Sequence, residues 1–128
     1  MAIYHLNVKP LSRSKGHTVG DALAYETAQK LETIDGRMVD FSRKEGVENH
    51  AIIGTPFQDL QVLADKIELS ETRKNSTLGR RMTIALPSEL DSSQRWEAAQ
   101  EFGTWLNREY GVAVVAVSYT HLTLPTKA

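Results

Sequence analysis

Apolar side chains recur along this chain at spacings that switch between the period of a strand and that of a helix. Tyr4, Leu6 and Val8 alternate with His5 and Asn7, as in a half-buried strand, and Pro10 is expected to end it. A polar Ser-Arg-Ser-Lys-Gly turn at 12–16 follows. Thr18 is then a candidate N-cap, and Ala24, Ala28 and Leu31 share one helix face with Tyr25 beside it. Residues 33–56 are irregular, with Asp35 and Gly36 signalling a turn and Ala51, Ile52 and Ile53 a short strand. Between 57 and 73, Leu60, Leu63, Ala64 and Ile67 have helical spacing, and Asp59, Asp65, Glu68 and Glu71 fit its exposed side. Met82, Ile84 and Leu86 alternate with Thr83 and Ala85 in a second strand closed by Pro87. Asp91 and Gln94 have capping-box spacing, and Trp96, Ala99, Phe102 and Leu106 form an apolar stripe ending near Gly111. The continuous apolar run at 112–117 predicts a strand central to its sheet.

With 128 residues and 41% hydrophobic side chains, the chain is long enough for one domain with its own core and too short for two. Its net charge of -1 conceals short basic clusters, at Lys9, at Arg13 and Lys15, at Arg43 and Lys44, at Arg73 and Lys74, and at Arg80 and Arg81. Nucleic acid responds to such local patches, so the net charge does not exclude it. There is no cysteine, hence neither a disulfide framework nor a thiolate metal site. No apolar run approaches the ~20 residues of a membrane span, and no signal-peptide core is present, so the expected compartment is the cytoplasm.

A short strand, a basic loop and a helical tyrosine together suggest phosphodiester chemistry, because a tyrosine oxygen can form a covalent bond to DNA. Tyr25 is the candidate nucleophile. Ser12, Arg13, Ser14 and Lys15 are candidate DNA contacts, since a basic loop supplies several donors to phosphates without reading bases. Arg43, Lys44, Arg73 and Lys74 would extend that track. Each has a plainer alternative: a tyrosine that buries its ring and leaves its hydroxyl wet, a solvated turn, exposed charge pairs. Trp96 and Trp105 suit base stacking less than core packing, given their helical spacing. His5, His17, His50 and His121 show no ligand spacing, so no residue is assigned to a metal.

Residues 117–127 resemble the translated read-through of a transposon-type sequencing-library adapter. The domain is accordingly expected to span 1–116, with 117–128 a non-native tail that carries no functional argument.

Six pieces occur in order across the first 116 residues: Met-Ala-Ile-Tyr-His-Leu at 1–6, the loop at 12–16, Ala-Leu-Ala-Tyr at 22–25, Asp-Phe-Ser-Arg-Lys at 40–44, Arg-Lys-Asn-Ser at 73–76 and Ile-Ala-Leu-Pro-Ser-Glu-Leu at 84–90. Together they resemble the N-terminal part of MobA/MobL-type (MobQ class) plasmid-mobilisation relaxases. The resemblance implies an α+β fold of the HUH-endonuclease type, a mostly antiparallel sheet with packed helices, here truncated. It implies a helical tyrosine, matched by Tyr25, that attacks a phosphate at the transfer origin and leaves the DNA 5' end esterified to the enzyme. A phenol ionises near about pH 10, so such attack needs its proton removed or the phosphate made more electrophilic. Relaxases of this type do the second with a divalent metal, Mg or Mn, held by three histidines, one upstream of an Asn-Pro-His-x-His motif. That motif is absent, so this fragment is expected to be inactive, unstable and prone to aggregate through an unpaired sheet edge. The implied partners are single-stranded DNA at the transfer origin and other mobilisation proteins. One departure stands out: where the family has an acid before the strand ending in Ala-Leu-Pro, this chain has Arg80, Arg81 and Met82, and an arginine would repel a metal or point at DNA. The alternatives to a nicking enzyme are a non-catalytic single-stranded DNA-binding module and a replication initiator of the same fold.

Overall fold

Three helices lie on antiparallel strand pairs in a computed structural model that describes residues 5–70, 77–86 and 89–119, with His5 and Leu6 described as main chain only. The order is β1 (His5–Ser12), a single 3-10 turn (Arg13–Lys15), α1 (Val19–Thr27), β2 (Lys30–Glu32), β3 (Met38–Asp40), β4 (Val47–Ile53), α2 (Leu60–Ser70), β5 (Thr77–Ala85), α3 (Ser92–Tyr110) and β6 (Val114–Tyr119). Among the described residues β1 pairs with β5, β2 with β3 and β4 with β6, every pair antiparallel. The expected α+β architecture of antiparallel strands with packed helices is therefore the one observed.

Pro10 does not end β1. The strand runs to Ser12, with Pro10 opposite Arg80 and a register shift between Leu11 and Ser12. Among the described residues β1 has β5 as its one neighbour, so a proline without an N–H is tolerated there. β6 likewise pairs with β4 alone among the described residues and keeps only Ala116 buried, so it is not the central strand its apolar run suggests. Val117, Ser118 and Tyr119, assigned to the tail on sequence, lie in β6 opposite His50, Asn49 and Val47.

Helix α1 starts at Thr18, whose hydroxyl accepts the Asp21 N–H at 3.0 Å. It ends earlier than its apolar spacing suggests: Ala28 is left-handed (φ 55) and its N–H returns to the Ala24 carbonyl. Leu31 is buried as expected, but in β2. Gly20 lets α1 approach β2, since a Cβ there would lie 3.2 Å from the Glu32 carbonyl oxygen. Val19, Ala64 and Leu78 form the core between α1, α2 and β5, with Leu11, Leu23 and Ile67 packed on it. Helix α3 carries the capping box read from Asp91 and Gln94, and Gly111 (φ 66) closes it. Its Gly103 faces Ile53, Val114 and Ala116, which brings α3 onto β4 and β6. Trp105 departs from expectation: 44% exposed, it stacks on Phe102 at 5.9 Å and meets Tyr110 edge-on rather than entering the core.

Candidate active site around Tyr25

Tyr25 sits in the last turn of α1, 45% exposed, with Ala22 and Ala24 buried beside it. Three side chains, two from the 40–44 turn and one from β5, converge on its ring. Phe41 meets it edge-to-face, with centroids 5.2 Å apart and planes at 89°. The Lys44 ammonium lies 3.7 Å from the ring centroid and donates to the Tyr25 carbonyl at 2.8 Å. The Arg81 guanidinium, from β5, lies 5.9 Å from the same centroid.

Local chemistry places the first two. Asp40 ends β3 by accepting from both the Ser42 N–H (2.9 Å) and the Ser42 hydroxyl (2.6 Å), an Asx turn that bends the chain back. The Phe41 N–H donates to the Gln29 carbonyl just beyond α1, and the Lys44 N–H to the Phe41 carbonyl. The turn is thus tied to the helix end that carries Tyr25. Burial pushes the Lys44 ammonium below its ordinary pKa; Glu26 opposes that shift and Arg81 adds to it.

Strand β1 supplies the opposite wall. Lys9 is paired with Arg81 across the ladder, and with period-two geometry both side chains leave the same face, which Leu11 shares. Lys9, Leu11, His17, Asp21, Tyr25, Phe41 and Arg81 line an open groove of about 390 Å³. Arg81 approaches Glu26 at 2.5 Å through Nε, a charge contact whose N–H is not aligned as a hydrogen bond. Glu26 also accepts the Tyr119 hydroxyl at 2.6 Å. Burial, followed by that hydrogen bond, pushes the Tyr119 phenol far up.

The predicted DNA-contact residues divide. Ser14, Lys15 and Arg43 are exposed, while Lys44 is drawn onto Tyr25. Ser12 closes the loop, its N–H donating to His17 Nδ1 at 2.9 Å. Arg13 is held by Glu68 at 2.9 Å, so its charge is engaged within the fold. Glu68 itself is buried, contrary to its assignment to the exposed side of α2, because it also accepts the Val19 N–H at 2.7 Å. Arg73 and Lys74 lie outside the described residues. His50 is exposed. The contributions of Glu26 and Phe41 were not read from sequence, although Phe41 stands between Asp40 and Lys44 in one of the six matched pieces.

No group of three His, Asp or Glu side chains able to hold a metal occurs among the described residues. No helix among them is long and apolar enough to cross a membrane.

The MobA/MobL family matches residues 18–123, past the boundary expected at 116. The chain is 35% identical over 116 residues to the mobilization protein MobL of Acidithiobacillus ferridurans, covering 88% of this chain and 31% of that protein. It is 33% identical over 108 residues to the probable mobilization protein MobA of Bifidobacterium longum strain NCC 2705, covering 80% and 19%. To the conjugal transfer protein TraA of Agrobacterium fabrum strain C58 the identity is 31% over 118 residues, covering 80% and 11%. The chain thus spans less than a third of the length of these curated relatives. Its fold matches, with a TM-score of 0.81 and 29% identity, a solved structure described as the molecular basis of vancomycin resistance transfer in Staphylococcus aureus, over 91% of this chain and 62% of that one. With its sequence and its fold both shared over most of its length, this chain belongs to the MobA/MobL family.

Proposed function

We propose that this chain is the nucleophile-bearing part of a DNA relaxase that nicks single-stranded DNA at a plasmid transfer origin. The phenolate oxygen of Tyr25 attacks a backbone phosphorus, an O–P bond to tyrosine forms, and the O–P bond to the preceding nucleotide breaks. The DNA 5' phosphate is left on Tyr25 and the released strand ends in a 3' hydroxyl, a transesterification that conserves the phosphodiester. The observation that carries this reading is a half-exposed tyrosine fixed at the rim of a groove whose walls bring Lys9 and Arg81 beside it.

Each neighbour has a part in that chemistry. Phe41 and Lys44 hold the ring, which lowers the entropic cost of aligning the phenol with the phosphate. Lys9, Lys44 and Arg81 supply positive charge where the transition state gathers negative charge. Ser12, Ser14, Lys15 and Arg43 would track the backbone on either side, with Arg73 and Lys74 assigned on sequence alone. The described residues do not form a metal site, so the Mg or Mn ion of the proposal would draw its ligands from outside them, and no step here is routed through it. The proposed setting is the cytoplasm, with other mobilisation proteins as partners.

Supplied with Mg or Mn and single-stranded transfer-origin DNA, the native full-length protein should form a protein–DNA adduct that survives denaturing electrophoresis. Tyr25→Phe should abolish it. An adduct that persists in Tyr25→Phe excludes this nucleophile, and DNA binding without any adduct in the unsubstituted protein would make the domain a non-catalytic binder.

A further inference from the structure

We propose that Lys44 and Arg81 form a metal-independent seat for one phosphodiester group of single-stranded DNA at the Tyr25 ring. The proposal rests on the reading of Tyr25 given above and names the groups that receive the phosphate.

Two cations from distant parts of the chain are held against one phenol: Lys44 at 3.7 Å and Arg81 at 5.9 Å from its ring centroid. Structural ion pairing through Glu26 accounts for only part of this convergence. Lys44 bonds to the Tyr25 carbonyl and, at 3.4 Å, to the Tyr119 hydroxyl, both neutral oxygens. Arg81 meets a carboxylate, Glu26, but through an Nε–H that is not directed along the contact. Glu26 moreover shares its charge with the Tyr119 hydroxyl. One carboxylate therefore stands against two cations beside the phenol; on the groove itself Lys9 adds a positive charge across the ladder from Arg81, and the Asp21 carboxylate is already bridged to Arg37.

A phosphodiester fits what remains. It carries one negative charge on two non-bridging oxygens, which suit the planar fork of a guanidinium and the point charge of an ammonium. The desolvation that depresses the Lys44 pKa would be offset by an anion beside it. A single strand is favoured over a duplex because aromatic rings border the cations, and exposed bases can stack on such rings while the backbone follows the charge.

The test is equilibrium binding of a short labelled oligonucleotide to the full 128-residue chain in EDTA, across a salt series. Lys44→Gln and Arg81→Gln should each reduce the magnitude of the log affinity against log salt slope, and the double variant by no more than roughly 0.7, the value for one single-strand phosphate contact. Lys44→Arg and Arg81→Lys should retain the slope. Glu26→Gln should tighten binding, because Arg81 no longer shares its charge, whereas a purely structural pair predicts no gain. Tyr25→Phe keeps the ring and should leave binding unchanged while abolishing the covalent adduct, which separates the two proposals. Unaltered slopes in Lys44→Gln and Arg81→Gln, no binding in EDTA, or slopes not kept by the charge-conserving variants would each overturn the seat. Should either neutral variant fail to fold, Glu26→Gln decides, and an unchanged or weaker affinity overturns it.

Discussion

Glu68 joins the basic loop to the core through a single carboxylate. Its oxygens accept the Val19 N–H at the start of α1 and the Arg13 guanidinium in the loop. The side chain is 2% exposed, against 25% for Arg13, so removing it leaves a buried N–H unpaired and a partly buried cation without this acceptor. Glu68→Ala should cost about 2–3 kcal/mol, the upper end being discounted because Arg13 can turn toward water. Glu68→Gln, which keeps an acceptor for Val19, should cost about 1 kcal/mol. Urea denaturation midpoints measure both, and an alanine variant as stable as the parent would show that the latch contributes nothing. Sequence placed Glu68 on a solvated helix face for a sound local reason, since its neighbours Asp59 and Asp65 are acids at compatible spacing. What buries it is an arginine 55 positions away, and periodicity within α2 carries no information about that partner. The same holds at Tyr25: its place beside a helix face is readable, while Phe41, Lys44 and Arg81 reach it only through tertiary contact.

At the scale of elements, readable features are those whose signals are local. Helix α3 has its N-cap, its capping box and its terminal glycine within its own span, and all are found where the sequence puts them. The hairpin of β2 and β3 leaves no periodic signal in the sequence, because strands of three residues are too short to show one; only its Asp35-Gly36 turn is legible. That hairpin positions the Asp40 to Lys44 turn, and it is tied to α1 by Arg37, which bridges Asp35 at 3.1 Å and Asp21 at 2.9 Å. The Thr33 hydroxyl first, and Arg37 second, hold the Asp35 carboxyl below its ordinary pKa of 3.8. A depressed carboxylate pKa contributes stability that is fully present above the unfolded value and is lost as pH falls through the folded one. The difference in melting temperature between the parent and Asp35→Asn should therefore be constant from about pH 7 to about pH 5 and shrink below 3.8. A difference that stays constant through the acid range would show that the carboxylate is not held by these partners.

At the scale of the molecule, burial divides the fold into unequal halves. Val19, Ala64 and Leu78 are buried between α1, α2 and β5 and Leu63 is buried on α2, whereas α3 buries only Gly103 and its companion strand β6 only Ala116. Burial free energy follows apolar area, and a glycine and an alanine remove little of it from water. Partly buried Ile53 and Val114 complete that second layer, but its outer aromatic residues, Trp105 and Tyr110, face solvent. Local opening free energies track such differences in packing, so the two halves should not open together. Native-state hydrogen exchange should show the backbone amides of Ala24 and Ala64 protected up to the global unfolding free energy. The ladder amides of β4 and β6 should exchange through a smaller opening with weaker denaturant dependence. The candidate active site lies on the better packed half, consistent with the fixed geometry that the proposed role of Tyr25 calls for. Equal opening free energies in α1 and in the β4–β6 ladder would show instead that the whole domain unfolds as one cooperative unit.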